Sequence, residues 1–390
     1  MKNSNFKHIV LKAIQSLSKN KSKKLHEPLF KGNEKKYLKQ CIDTGFVSYK
    51  GKFVEKFEKK IAQYTKSKFA VPIINGTSAL HILLKIYKIN SEHEVLTPSL
   101  SFVAVANSIA YCNATPNFVD SETSTLGIDP YKLRKYLLNT TKIKNKKCIN
   151  IKTGKVIKVL IAVHVFGIPC KILEIRRVCR EFNIILIEDA AESIGSFYKG
   201  KHLGLFSEAS ILSFNGNKTI TCGGGGIILT KNKRIAQTVK HLTTTAKATH
   251  KWEYFHDHIG YNYRMTNLNA AVGCAQLENL NKIIKSKRKN YFHYKKFFKN
   301  EKNFNLVKEP KECRSNFWLI TILLNKPDIK IRNFILNYLF KNGYECRPIW
   351  KPMHKLPMFK KCPRDNLSGA NEIYKRVINL PSSPIFNFYK

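Results

Sequence analysis

Short apolar runs alternate with longer segments of helical periodicity between about residues 50 and 245. Ala70 to Ile74 precedes the helix-periodic Ser78 to Tyr87, and Val156 to Phe166 precedes Leu173 to Phe182. Such alternation of strands and helices predicts an α/β fold with a mostly parallel sheet flanked by helices. Ligands of these sheets bind beyond the carboxyl ends of the strands, so polar residues at those ends are the first candidates for function.

The rest of the chain departs from this alternation. Lys142 to Lys155 is polar and lysine-rich, which predicts a surface loop or a hairpin. A helical pattern covers Asn262 to about Ile284, and a strand-helix-strand pattern then follows at Phe317 to Leu324, Ile331 to Phe340 and Tyr344 to Arg347. We therefore expect a basic N-terminal segment at 1–25, a large domain at 26–285 and a smaller α+β domain at 286–390.

The N-terminal segment has apolar residues at helical spacing. A helix that docks on the body of the protein is the favoured interpretation, while a membrane-surface helix and a targeting peptide remain alternatives. No apolar stretch reaches the 18 to 20 or so residues that cross a bilayer, so no membrane span is expected. The residues that define the pattern are Ile9, Val10, Ala13, Ile14 and Leu17.

The chain carries 69 basic and 26 acidic residues, a formal charge of +43. A charge of this size raises the question of a nucleic-acid partner. The lysines, however, are scattered along the whole chain without interleaved aromatic binding signatures. We expect solvated lysine-rich faces and no nucleic-acid partner.

The ten cysteines form no Cys-x-x-Cys pair and no Cys/His spacing suited to zinc. Several lie within apolar runs, as Cys112, Cys179 and Cys274 do. This distribution predicts buried free thiols in a cytoplasmic protein.

Two charged residues lie where a cofactor could use them. Asp189 ends the apolar run Ile184 to Glu188, and a buried acid there needs a cationic partner, although an aspartate that caps the next helix is a common alternative. Lys218 lies in a loop between two apolar strands, where a carbonyl cofactor could condense with its amine. An exposed loop lysine is the alternative there.

A third candidate follows the run Ala70 to Ile74. Asn75-Gly76-Thr77-Ser78 opens a helix, and the free backbone amides and hydroxyls of such a turn suit a phosphate. An ordinary helix cap is equally compatible with these residues. The segment is neither a Walker loop nor a dinucleotide-binding glycine motif.

Taken together, five segments resemble the DegT/DnrJ/StrS family of sugar aminotransferases over about residues 26–385. Further features resemble the legionaminic-acid pathway members of that family and, next, those that make bacillosamine or perosamine precursors. Among these features are His26-Glu27-Pro28 and a glycine, Gly224, where many members have glutamate. The five segments are 75–80, 98–107, 189–193, 213–218 and 260–265.

The resemblance implies an aspartate-aminotransferase-like fold of type I, pyridoxal 5'-phosphate as cofactor, and a homodimer. It implies that Lys218 forms the Schiff base and moves the proton, and that Asp189 pairs with the pyridine nitrogen. It also implies that Phe102 stacks on the cofactor ring and that Glu192 lies near the ring hydroxyl. The cofactor phosphate would be held by Thr77, Ser78 and Ser213, together with Asn262 from the neighbouring subunit.

Substrate contacts are expected from His164, Lys247, Trp252 and His354, although core or surface roles are comparable alternatives for them. His256-Asp257-His258 lacks a third clustered group, so no metal site is expected.

The expected reaction moves an amino group from L-glutamate to C4 of a nucleotide-linked 4-keto-6-deoxy sugar. The first choice is a UDP-linked N-acetylhexosamine on a route to legionaminic-acid-type surface glycans. A GDP-perosamine-type or bacillosamine-type enzyme is the alternative. A sugar dehydratase on the same scaffold would replace the Schiff-base lysine with histidine, which Lys218 argues against. A basic nucleic-acid-binding protein or an idle regulatory relative is the remaining possibility.

Overall fold

The structure is a computed structural model that describes residues 5–17 and 23–385. Its helices are α1 Asn5–Leu17, α2 Glu34–Asp43, α3 Lys52–Thr65, α4 Gly76–Ile86, α5 Ala104–Ala110, α6 Pro130–Thr140, α7 Ile172–Glu181, α8 Lys233–Thr243, α9 Asn267–Glu278, α10 Leu280–Phe297, α11 Ile329–Lys341 and α12 Ser368–Arg376. Its strands are β1 Phe69–Ile73, β2 His93–Pro98, β3 Thr115–Val119, β4 Thr141–Lys144, β5 Lys147–Asn150, β6 Val156–Val163, β7 Ile185–Asp189, β8 Phe197–Tyr198, β9 Lys201–His202, β10 Ala209–Ser213, β11 Gly226–Thr230, β12 Phe304–Leu306, β13 Cys313–Arg314, β14 Ile320–Leu324 and β15 Val377–Leu380.

The main sheet has the strand order β1-β11-β10-β7-β6-β2-β3. Strand β11 pairs antiparallel with both β1 and β10, and the pairings from β10 through β7, β6 and β2 to β3 are parallel. The predicted α/β fold with a mostly parallel sheet is therefore confirmed. Because β6, β7 and β10 run in the same direction, His164, Asp189 and Ser213 come to the same edge.

Side-chain caps begin several of the helices that flank this sheet. The Asn75 carboxamide accepts a hydrogen bond from the Ser78 backbone N–H at 2.7 Å, and Asp129 caps α6 in front of Pro130. Caps of this kind stabilise a helix by about 1 kcal/mol. At the start of α4, a Cβ on Gly226 would lie 2.6 Å from the Asn75 carbonyl carbon, so glycine lets β11 pass close to this turn.

A second, antiparallel sheet with the order β12-β14-β15 lies in the C-terminal part of the chain. Its third strand differs from the prediction, which placed a strand at Tyr344 to Arg347. In the structure Arg347 makes only an isolated bridge to Asn379, and β15 supplies the regular pairing. The polar excursion at 142–155 contains the hairpin of β4 and β5.

The N-terminal helix α1 packs against α10, α11 and the second sheet. Phe6, Val10, Ala13 and Ile14 are buried in this contact. Residues 1–4 and 18–22 of the predicted N-terminal segment lie outside the described residues. In the described part of the chain, none of the helices combines the length and apolar character needed to cross a membrane.

Candidate active site

A cavity of about 320 Å³ opens at the carboxyl ends of β6, β7 and β10. Its volume is that of a site for a small molecule or cofactor. Trp318 and Trp350, from the C-terminal part of the chain, also line it. The predicted site residues that line the cavity are Thr77, Phe102, His164, Asp189, Glu192, Ser213 and Lys218.

One end of the cavity is formed by the first turn of α4. The backbone N–H groups of such a turn have no acceptor within the helix, and the helix dipole makes this end positive. Thr77 lies in this turn, and Ser213 at the end of β10 is close to it, since a Cβ on Gly76 would lie 3.3 Å from the Ser213 Cβ. Ser78 lies just outside the lining, and its backbone N–H is taken by Asn75. The arrangement suits a phosphate group.

Asp189 lies at the end of β7 and is 6% exposed. Its Oδ1 accepts a hydrogen bond from the Ala191 backbone N–H at 3.0 Å, and no described residue donates to its Oδ2. Burial raises the pKa of Asp189, while this hydrogen bond and the charge of Lys218 oppose the shift. A carboxylate in this position gains most from a cationic partner in the cavity.

Lys218 lies in the loop after β10, with its side chain 13% exposed. Its Nζ is 3.0 Å from Glu192 Oε1 and 4.2 Å from the centroid of the Trp318 ring. The Glu192 Oε2 accepts a hydrogen bond from the Phe166 backbone N–H at 2.8 Å. Burial raises the pKa of Glu192, and Lys218 opposes that shift. The lysine is thus held inside the cavity by a carboxylate that is itself fixed by the backbone.

The C-terminal part of the chain also anchors the lysine loop. The Trp318 indole Nε1 donates a hydrogen bond to the Asn217 carbonyl oxygen at 2.8 Å. Neither Trp318 nor Trp350 was assigned a role from the sequence. Their rarity, with three tryptophans in the chain, was the only available signal.

His164 lines the cavity but both of its ring nitrogens are engaged. Its Nδ1 accepts a hydrogen bond from the Cys170 backbone N–H at 3.2 Å, so Nε2 carries the proton and donates to Glu188 at 3.1 Å. Glu188 in turn accepts hydrogen bonds from the loop at Gly204 and Phe206. A substrate would therefore meet the ring carbons of His164.

Asn262, Lys247, Trp252 and His354 are not brought to the cavity of their own chain. Asn262 is exposed, Trp252 is 71% exposed, and the Lys247 Nζ lies 3.5 Å from the centroid of the Tyr254 ring. His354 is buried and pairs with the Ser99 hydroxyl at 2.6 Å. Burial, together with Lys355 and Arg364, lowers the pKa of His354 to about 4. Within one chain, His354 is a neutral core histidine.

The sequence predicts that His256-Asp257-His258 lacks a third clustered group, but His241 lies beside Asp257 and His258 in the structure. His241 Nε2 and His258 Nδ1 lie 2.6 and 3.0 Å from the same Asp257 oxygen, whereas His256 donates to the Thr245 carbonyl. Hydrogen bonds from His258 and His241 lower the pKa of Asp257. The three residues form a hydrogen-bonded group at the surface, and the expectation that no metal binds there stays a prediction.

The sequence model of the DegT/DnrJ/EryC1/StrS aminotransferase family matches residues 28–387. A GDP-perosamine synthase from Escherichia coli O157:H7 is 36% identical over 364 residues, covering 92% of this chain and 93% of that protein. Another from Vibrio cholerae is 37% identical, covering 92% and 94%. The solved PLP form of the putative sugar aminotransferase Spr1654 from Streptococcus pneumoniae has a TM-score of 0.82 at 21% identity, covering 93% and 94%.

The family inferred from the sequence is confirmed by these similarities, while the subgroup is not. The two relatives above are named for GDP-perosamine, which supports the alternative substrate better than the legionaminic-acid type that was preferred. Gly224, one of the features used for that preference, follows the Lys218 loop in the sequence.

The described residues fit pyridoxal phosphate. The α4 turn with Thr77 and Ser213 suits its phosphate, and the free Asp189 oxygen suits a protonated ring nitrogen. The Lys218 amine lies in the same cavity, beside Glu192. These residues of one chain therefore match the carbonyl, the ring nitrogen and the phosphate of the cofactor.

Proposed function

This chain belongs to the DegT/DnrJ/EryC1/StrS aminotransferase family and is a PLP-dependent sugar aminotransferase, and we propose that it acts on a GDP-linked 4-keto-6-deoxy sugar. The amino group would come from L-glutamate and end on C4, giving a perosamine-type product. The observation that carries the reaction is the presence of Lys218 and Asp189 in one cavity. The similarity to two GDP-perosamine synthases supports the choice of nucleotide sugar.

Bound pyridoxal phosphate supplies a carbonyl that exchanges for an amine and a ring that accepts an electron pair. Lys218 would hold the cofactor through its Nζ and would carry a proton to and from the reacting carbon. Glu192 holds this amine at 3.0 Å and so limits the positions from which the proton moves. Trp318 covers the amine and excludes water from it.

Asp189 and the α4 turn orient the two ends of the cofactor. The Asp189 carboxylate would hold the ring nitrogen in its protonated form, since a buried anion strongly favours a cation beside it. Thr77 and Ser213 would donate hydroxyl hydrogen bonds to the phosphate. Phe102, which is 52% exposed and lies at the mouth of the cavity, would stack on the ring.

The nucleotide can be tested directly. We expect the purified enzyme, with L-glutamate, to aminate a GDP-linked 4-keto-6-deoxy sugar with kcat/KM at least about tenfold above the UDP- and dTDP-linked counterparts, which corresponds to about 1.4 kcal/mol. Product formation followed by mass spectrometry measures this. A preference for a UDP-linked N-acetylhexosamine would contradict the GDP-sugar proposal and favour an enzyme of the legionaminic-acid or bacillosamine type.

A dimer with shared sites is the second part of the proposal. Asn262 is exposed within its own chain, and it directly precedes the segment that leads into α9. We propose that it reaches the cofactor phosphate of the neighbouring subunit, so that each site is complete only in the dimer. Lys247, Trp252 and the exposed apolar residues near them would approach the nucleotide sugar from that subunit.

Subunit mixing tests the shared site. Lys218→Ala and Asn262→Ala proteins, each inactive alone, should regain up to about a quarter of wild-type activity after exchange, because half of the dimers are hybrids with one intact site. Mixing Lys218→Ala with Asp189→Asn is the control and should restore nothing, since both residues line the same chain's cavity. Exchange without recovery in the first mixture would place Asn262 outside the partner's site.

We also propose that the enzyme works in the cytoplasm. All ten cysteines are free, and seven of them are buried. Such thiols suit a reducing compartment.

A further inference from the structure

Three helices cover the outer face of the C-terminal sheet. Alternate residues of β14, Ile320, Ile322 and Leu324, pack in one apolar cluster with α1, α10 and α11, while Leu323 belongs to the cluster of the large domain. Helix α1 contacts both of the other helices. His8 pairs with the Tyr338 hydroxyl on one side at 2.9 Å, and Ser16 pairs with His293 on the other at 2.9 Å. We call α1, α10 and α11 the cationic helix layer.

The outward side of this layer is strongly basic. None of the three helices contains an aspartate or a glutamate. On α10 the exposed residues recur every three or four positions, which places them on one side of the helix. Lysines of α1 and α11 extend the same charge. The exposed lysines of the layer are Lys12, Lys282, Lys285, Lys289, Lys295, Lys296, Lys330 and Lys341.

Exposed phenyl rings lie among these lysines. Phe334 is 49% exposed and Phe340 is 74% exposed on α11, while Phe292 on α10 is 48% exposed. Phe292 occupies the α10 stripe between Lys289 and Lys296. The Lys7 ammonium lies 4.6 Å from the centroid of the Phe334 ring, so charge and aromatic surface are directly adjacent.

We propose that the cationic helix layer docks on the surface of a bilayer rich in anionic lipid. The lysines would contact lipid phosphates, and the phenyl rings would enter the headgroup region, where aromatic side chains are favoured. The phosphates of duplex nucleic acid could also pair with the lysines. Its bases, however, are stacked inside the duplex, so the exposed phenyl rings would remain in water. The layer lies on the side of the small sheet that faces away from the large domain, so docking leaves the cavity open.

Vesicle sedimentation of the full chain tests this proposal. Wild type should bind vesicles of phosphatidylcholine with phosphatidylglycerol and should ignore pure phosphatidylcholine. The triple variant Lys285→Gln/Lys289→Gln/Lys296→Gln should bind about 100-fold more weakly, at about fivefold per lysine. Glutamine keeps helix propensity near that of lysine, so melting and transaminase activity should not change.

A matched variant separates the layer from the general charge of the chain. Lys142→Gln/Lys144→Gln/Lys147→Gln removes the same charge from the exposed hairpin of β4 and β5 and should bind like wild type. A double variant, Phe334→Ser/Phe340→Ser, should weaken binding about tenfold, and the loss should persist in high salt. Equal losses in the two lysine variants would overturn the proposal. So would a wild type that ignores anionic vesicles, whatever its affinity for duplex DNA.

Discussion

Replacing Lys218 with alanine is expected to lower turnover by at least about a thousandfold while the protein remains folded. Lys218 carries the only side-chain amine among the described residues that line the cavity. Its loss removes one ion pair and one contact with Trp318. Glu192 would be left buried, but burial already raises its pKa, so it can take up a proton instead of remaining an unpaired charge.

The measurement for Lys218 combines steady-state turnover with a chemical test of attachment. After borohydride reduction, mass spectrometry of the wild type should find the cofactor on the peptide that contains Lys218, and the variant should carry none. Lys240→Ala, which breaks the ion pair with Glu58 far from the cavity lining, is the matched control and should retain activity. Activity above a few per cent without added amine, or attachment at another lysine, would contradict the role.

The sequence was most informative where neighbours in the chain are neighbours in the fold. The apolar run before Asp189 becomes β7, and its last residue carries the carboxylate into the cavity. Asn75 caps α4 from the position expected of a strand-to-helix turn. The spacing of apolar residues and the residues that begin a helix are local properties of the sequence, so they can be recognised without knowledge of the tertiary structure.

Contacts between distant segments could not be inferred in this way. Trp318 lies 4.2 Å from the Lys218 amine, and Phe166 holds Glu192 through its backbone N–H. Neither pairing has a local signal. The first depends on how the C-terminal part of the chain packs on the Lys218 loop, and the second depends on β6 and β7 being neighbours in the main sheet. The same limit explains the strand predicted at Tyr344 to Arg347, where the pattern was present but the contact with the edge of the second sheet is a single bridge from Arg347 to Asn379.

The sugar is harder to infer from the sequence than the cofactor. The residues that would hold the cofactor must all suit the same molecule, so they can be recognised together as a set. Residues that would meet the sugar, such as Lys247 and Trp252, lie in an exposed segment whose contacts would depend on the proposed second subunit. His354 has the right residue type, but its partner is Ser99 in the core. Within one chain these three residues do not line the cavity, and their contact with substrate stays a prediction.

Asp189→Asn is expected to lower kcat/KM by about 100-fold or more while cofactor still binds through the α4 turn and Lys218. An amide cannot hold the ring nitrogen protonated. Asp129→Asn, the same change at the cap of α6, is the matched control and should have no effect, since asparagine caps a helix equally well. Near-normal turnover of Asp189→Asn would show that Asp189 serves only its local hydrogen bond with Ala191 and not the cofactor ring.

The cofactor-free protein provides an independent test of Asp189. Because burial raises its pKa in the folded state, its stabilising contribution is complete below the unfolded pKa of about 3.9 and is lost as pH rises through the folded value. Without cofactor, Asp189→Asn should therefore melt at least as high as wild type at pH 7, with a difference that shrinks toward about pH 4. Added pyridoxal phosphate should raise the melting temperature of wild type more than that of the variant, because only wild type gains the ion pair with the ring. A variant that melts lower than wild type without cofactor, and gains as much from it, would show that the carboxylate serves the fold instead of the ring.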